Sequence, residues 1–446
     1  MSTSVVVGLG KTGASCVRYL ARRGIPTAVT DSRRDPPGLA ELGGLAQGLD
    51  MRLGGFDVSL LDDASQVLMS PGVPLDAPIA SAARARGIEV LGDIELFARA
   101  VRAPVIGITG TNGKSTVTSL VAAMAQAAGR RVLAGGNLGK PALDLLEEPL
   151  PDLYVLELSS FQLETTSSLA LKAAVVLNVT ADHMDRYASI ADYARAKERI
   201  FAQAATVVLN VDDPQVASMR ERVEARRTAR IVTFSIEHGG ADFALAERES
   251  RTFLARRGEP VLEMSRMRIG GSHNAANALA ALALGEAAGL PLPAMLGALE
   301  TFPGLKHRSE WVADIAGVRY VDDSKGTNVG ATLAAVAGMP GPLVLIAGGE
   351  GKGQDFAPLA AGFRGKVRHT VLIGRDAAAI EGVLEGVCPT SRAATLPAAV
   401  EAAAAAARRG DTVLLSPACA SLDMFRDYSH RGEVFAAAVR ALGERS

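Results

Sequence analysis

Residues 107–118 read GITGTNGKSTVT. The apolar run VIGI (105–108) enters this stretch, and Leu120, Ala123, Met124 and Ala127 follow it on related faces of a helix, so the glycines fall in a turn between a strand and a helix. Backbone N–H groups of such a turn, with a helix N-terminus behind them, surround phosphate oxygens; Lys114 adds a mobile positive charge and Ser115 a hydroxyl for magnesium. The strict phosphate-loop pattern asks for a glycine five positions before Gly113, where this chain has Ile108; its own glycines are Gly107, Gly110 and Gly113.

Outward from that loop, strands are expected at 105–108, 132–134, 154–158, 174–179, 207–211 and 231–234, with helical segments between the earlier ones, which makes an α/β core. Before it, 5–8, 28–30 and 67–69 alternate with helix-like text such as 14–23. After it, 318–322, 343–347, 370–373 and 412–415 do the same. Residues 235–270 turn to polar alternation with several glycines, expected as a small antiparallel appendage, and 273–289 reads as a helix. Three α/β units in series follow, with boundaries near Gly92 and residue 300: 1–92, 93–299 and 300–446.

A chain of 446 residues has room for two or three cores. Its 47 basic and 48 acidic residues leave no net field to attract nucleic acid or an anionic bilayer. Cys16, Cys388 and Cys419 are too few and scattered for a disulfide framework, which favours a reducing compartment, with the cytoplasm the default. MSTSVVVGLG (1–10) reads as a strand entering a glycine turn rather than a signal peptide, and no apolar run has the length and character of a spanning helix. A monomer is expected, each unit supplying its own core.

The first glycine loop, GLGKTG (8–13), also joins a strand to a helix, and Asp31 ends the next strand. Three readings stand open: a tight turn for helix packing, a nucleotide-containing ligand, or a redox dinucleotide. Glu157 follows an apolar strand, with Ser159, Ser160 and Gln162 beyond it, and suits magnesium or its water shell. Asp182, His183 and Asp185 follow another strand, where a histidine beside two carboxylates suits a metal. Tyr193, Lys197, Ile200 and Phe201 share a helix side, and from spacing alone Lys197 reads as a snorkelling surface lysine. Asp322, Asp323, Ser324, Lys325, Thr327 and Asn328 crowd one strand end; with Lys352, Ser416, Ser421 and Tyr428 they offer donors for a small anionic substrate. Cys419 has no histidine nearby in sequence and reads as a buried thiol.

In order along nearly the whole chain, GITGTNGKST (107–116), LELSSFQLE (156–164), NVTADHMDRY (178–187), GSHNAANALAA (271–281), FPGLKHR (302–308), VDDSKGTNVGAT (321–332), GGEGKG (348–353) and LSPACASLDMF (415–425) resemble the Mur ligase family. HMDRY, DDSKGTN and SPACASLD look like the forms of its D-glutamate-adding branch, and the glycine pattern that departs from the strict phosphate loop is the family's own. The resemblance implies a Rossmann-like UDP-binding unit, a central phosphate-loop ATPase unit and a Rossmann-like C-terminal unit. It implies an ATP-dependent amide ligase that phosphorylates the carboxylate of UDP-N-acetylmuramoyl-L-alanine and lets the amine of D-glutamate attack the acyl phosphate.

By the same resemblance, Gly110, Thr111, Asn112, Gly113, Lys114, Ser115, Thr116, Asn274, Asn277, Arg308 and Asp323 would face ATP. Lys114, Glu157, His183 and Lys197 would be catalytic, and Ser115, Glu157, His183 and a carbamylated Lys197 would hold two magnesium ions, the modification replacing the surface reading of that lysine. Lys11, Thr12, Asp31, Ser32, Arg33, Ser70, Gly72 and Asn137 would hold the UDP end of the substrate, and Ser159 and Gln162 would be substrate-binding. Lys325, Thr327, Lys352, Ser421, Leu422 and Tyr428 would receive D-glutamate. Lys11 and Tyr428 stand where an apolar residue and a phenylalanine are frequent in the family. A ligase of the same fold for another amino acid or for folate, a redox enzyme built on GLGKTG, and a noncatalytic nucleotide switch are the competing readings.

Overall fold

The computed structural model describes residues 3–226, 229–339 and 341–445. Its first sheet runs in the order Asp50–Leu53, Thr27–Asp31, Thr3–Val7, Ala64–Met69, Glu89–Leu91, parallel throughout. Val5, Val6 and Val7 are buried on both faces, as expected of a parallel strand covered by helices. The helix Lys11–Arg22 begins earlier than the expected 14–23 because the chain turns at once after Gly10. A Cβ at Gly13 would lie 2.0 Å from the Gly8 carbonyl oxygen, so the third glycine of this loop is needed for the helix to close onto the strand.

The central sheet, among the described residues, has the order Glu259–Glu263, Arg251–Arg256, Phe243–Arg248, Arg230–Ser235, Thr206–Asn210, Ala173–Val176, Val105–Thr109, Leu153–Glu157, Val132–Gly136. The strands after 235 are antiparallel hairpins, as expected, but Phe243–Arg248 pairs with Arg230–Ser235 and extends the main sheet instead of forming an appendage. Register decides the site: Ile108 lies opposite Glu157 and Thr109 opposite Val176. The loop after Thr109, the Glu157 carboxylate and the chain after Val176 therefore emerge together at the carboxyl edge. Helices Lys114–Ala127 and Ser272–Ala288 cover one face, burying Leu120, Met124, Leu279 and Leu282 completely; each such side chain contributes roughly 1.5–3 kcal/mol.

The third sheet runs Glu310–Ile315, Val318–Asp322, Thr412–Leu415, Leu343–Gly348, Val367–Ile373, Thr390–Arg392, parallel except for its first pair. The edge strand Glu310–Ile315 carries Trp311, 59% exposed. Asp323, Ser416 and the loop after Gly348 end side by side here, since Asp323 N–H bonds Leu415 O and Gly348 N–H bonds Pro417 O. No helix among the described residues is long and apolar enough to cross a membrane.

Candidate active site

Gly110 and Gly113 adopt φ of +150° and +84°, conformations an L side chain rarely takes; a Cβ at Gly113 would also lie 2.4 Å from Asn277 Oδ1. The loop is braced by Asn178, whose side chain bonds Asn112 N–H and whose carbonyl bonds Thr111 N–H. Lys114 folds back over this turn, its Nζ donating to Gly110 O at 2.9 Å and Thr111 O at 2.8 Å. Ser115 Oγ donates to Glu157 Oε2 at 2.6 Å, and Asn137 Nδ2 donates to Glu157 Oε1 at 2.7 Å. Despite burial, which acts to raise it, the Glu157 carboxyl is held below its ordinary range by Lys114 and by the Ser115 and Asn137 donors.

Lys197 is the largest departure from the sequence reading. It is 1% exposed, and the surface position expected from spacing is wrong, because the helix Ile190–Glu198 turns this side chain beneath the phosphate loop. Its Nζ donates to Gly110 O at 2.9 Å and lies 4.3 Å from the centre of the Tyr193 ring. Burial, reinforced by Lys114, pulls its pKa well below the lysine value.

Across the cleft, Arg308 Nη2 donates to Ser115 Oγ at 2.7 Å, Asn112 and Asn328 exchange amide hydrogen bonds, and Lys352 Nζ reaches Asp182 Oδ1 at 2.6 Å. These contacts set the third sheet's edge against the central one. His183, beside Asp182, holds φ of +57° and meets Phe161 edge-on at 5.0 Å. His307, Ser309, Lys352 and Ala418 also carry positive φ, and the other non-glycine residues that do so among those described, Glu249, Ser250, Arg257 and Ala316, stand in hairpin turns.

Two cavities sort the sequence candidates. One of ≈ 260 Å³ is lined by Asn112, Gly113, Thr116, Asn274, Asn277, Arg308, Asp323 and Lys325, together with His273 and Asn178. Another of ≈ 490 Å³ is lined by Lys11, Thr12, Asp31, Ser32, Arg33, Ser70, Gly72, Asn137 and Gln162. At its wall Asp31 accepts from Leu9 N–H and from the Arg33 guanidinium, and Lys11 Nζ donates to Gly139 O of the central unit at 2.5 Å. Ser159 caps the helix Ser160–Glu164, reciprocally bonded with Gln162.

The acidic-substrate set is less gathered. Lys325 Nζ lies 3.8 Å from the Tyr428 ring centre, and burial brings its pKa down to about 8. Thr327 N–H bonds Lys325 O, Ser421 is buried, and Leu422 stays 68% exposed. Sequence reading missed Arg431, a fully buried guanidinium that donates to Ser324 Oγ and O and to Cys419 O, tying the loops at 324 and 419 together. Its place in YSHRGEVF looks like any helix arginine.

Asp323 accepts from Ser416 Oγ and Ser309 N–H, yet burial pushes its carboxyl up to about 7. The folded chain thus holds this proton more tightly than the unfolded chain, so the group's contribution to stability falls as pH rises from the free carboxylate range, about 4, to about 7. Asp323→Asn should raise Tm by a few degrees at about pH 8 and by almost nothing near pH 4. Thermal melts at the two pH values check it; an equal shift at both, or a lower Tm at the higher pH, contradicts it.

A phosphate loop backed by a buried carboxylate and two lysines, facing polar edges from two other α/β sheets, defines a nucleotide-dependent enzyme of the three-unit ligase type. The chain belongs to the Mur ligase family: residues 2–92 match the Mur ligase MurD-like N-terminal domain, 108–285 the Mur ligase middle domain and 307–419 the Mur ligase glutamate ligase domain. It is 55% identical over 444 residues to the UDP-N-acetylmuramoylalanine–D-glutamate ligase of Nitrosococcus oceani, covering 99% of this chain and 97% of that one. With the enzyme of the same name from Methylococcus capsulatus identity is 51%, over 99% and 95% of the two chains. Among solved structures, the fold matches the UDP-N-acetylmuramate–alanine ligase of Thermotoga maritima with a TM-score of 0.63 at 18% identity, covering 99% and 100% of the two chains.

Proposed function

We propose that the protein is an ATP-dependent ligase that joins D-glutamate to UDP-N-acetylmuramoyl-L-alanine, forming ADP, phosphate and a new amide for peptidoglycan precursor synthesis. The observation that carries this reading is a continuous polar path between the two cavities: Asn137 on the wall of the larger one bonds Glu157, Glu157 bonds Ser115, and Ser115 bonds Arg308 on the wall of the smaller one. A carboxylate delivered from one side and a triphosphate from the other would meet at this path. Full-length relatives of that activity at 51–55% identity support the substrate pair.

A carboxylate is a poor acyl donor, and phosphorylation converts it to an acyl phosphate that the amine of D-glutamate can attack, with phosphate leaving. In this reading Lys114 turns from its loop carbonyls toward the transferring phosphoryl group, and Arg308 follows the nucleotide phosphates. The residues fit magnesium: a hydroxyl and a carboxylate oxygen 2.6 Å apart at Ser115 and Glu157 are the hard donors it takes, with His183 and a carbamylated Lys197 as the second set. Bound metal would neutralise charge on the phosphoryl oxygens. The lowered pKa of Lys197 keeps a share of the amine neutral; its lone pair adds to the carbon of carbon dioxide, one C=O π pair moves onto oxygen as the N–C bond forms, and the amine proton passes to water. We further assign residues 1–92 to the UDP end, 93–299 to ATP and 300–446 to D-glutamate, in a cytoplasmic monomer.

Purified protein with magnesium should release phosphate from ATP only when both UDP-N-acetylmuramoyl-L-alanine and D-glutamate are present, and mass analysis should find the two joined. Absence of ligated product under full supply would sink the assignment.

A further inference from the structure

Asp93 opens the helix Asp93–Ala100, which links the first sheet to the central one, and is 1% exposed. It is no part of the chemistry above. Its Oδ2 accepts from Gln162 Nε2 at 3.0 Å, while Oδ1 has no hydrogen-bond partner among the described residues; Gln162 and the N–H groups of Asp93 and Ile94, at the start of its own helix, act against the rise that burial imposes. Burial raises its pKa to about 6. A half-satisfied buried carboxylate is costly, and no cation is bonded to this one among the described residues.

What Asp93 faces accounts for that cost. Gln162 lines the larger cavity, and its Oε1 accepts from Ser159 N–H and Oγ. An amide side chain of nearly symmetric shape can occupy its pocket either way round. An ionised carboxylate accepts and does not donate, so it fixes Nε2 toward itself and Oε1 toward Ser159, leaving the second N–H of Gln162 beyond those bonds. The seat is narrow: a Cβ at Gly92 would come within 2.3 Å of Thr165 Oγ1, so the linker before Asp93 is pressed against the end of the Gln162 helix.

We propose that Asp93 is a positioning residue for the UDP-linked substrate, acting through Gln162: it sets the amide's orientation on the cavity wall and ties the linker between the first two units to that wall. This rests on the substrate assignment given above. Ligation by the wild type tests that assignment, and the variants test Asp93 separately.

Steady-state kinetics on wild type, Asp93→Asn, Asp93→Leu, Gln162→Glu and the Asp93→Asn/Gln162→Glu pair decide it. Asparagine retains an acceptor for Nε2, so D93N should keep KM for the UDP-substrate within about threefold, whereas D93L should raise it about tenfold with KM for ATP and D-glutamate unchanged. Q162E sets two carboxylates face to face and should do worse than D93N; adding D93N to it supplies a donor and should recover most of the loss. Unchanged KM in D93L, equal shifts in all three KM values, or a pair no better than Q162E would overturn the proposal. If D93L does not fold, the comparison of Q162E with the pair decides alone.

Discussion

Lys197→Ala is expected to lower kcat about 10²- to 10³-fold, the usual loss when one preorganised charge of a transition state is removed. An ammonium at Lys197 is buried with Gly110 O as its hydrogen-bond partner; loss of solvation, and after it the positive charge of Lys114, pull its pKa down. Turned into a carbamate, the same side chain becomes an oxygen pair of opposite charge beneath the phosphate loop, complementary to Lys114 and to a metal. Added acetate or formate should therefore restore part of the activity of the alanine variant by entering the space vacated, and leave the wild type unaffected. The check is kcat against carboxylate concentration for both proteins. Wild-type activity in the variant, or loss without any rescue, would remove the carbamate role.

Lys114→Met should cost still more, about 10³-fold in kcat, because its ammonium is the mobile positive charge of the phosphate loop. Stability should change far less. Lys114 bonds carbonyls of its own loop, and burial pulls its pKa below the lysine value, partly offset by Glu157. Methionine of similar length relieves that desolvation but removes the charge that helps hold Glu157 ionised, so Tm should stay near the wild-type value while catalysis is lost. Kinetics and a thermal melt on the same sample test both halves. Activity within tenfold of wild type, or a fall in Tm matching the fall in rate, would contradict the assignment.

The strands that built the sheets were legible where β-branched runs are buried on both faces, as at Val5–Val7, 105–108 and 343–347. Asp50–Leu53 and Thr390–Arg392 escaped because edge strands need no apolar run, and DMRL and TSR have none. The phosphate loop and Glu157 could be placed at one edge because both follow apolar strands. Lys197 could not, since helical spacing gives its side but not what the sheet order sets above that side. Contacts between units were the least legible: Arg308 and Ser115 meet 193 residues apart, and nothing in either segment names the other. The resemblance implies roles for both; the folded chain shows their adjacency.

Trp311 is the sole tryptophan of the chain. It stands three positions after Arg308, on an exposed edge strand that continues from the segment joining the second and third units. The molecule thus carries one indole, placed by its own sequence just beyond the segment where the second and third units meet, and its emission reports on that place without a label or a second fluorophore to subtract.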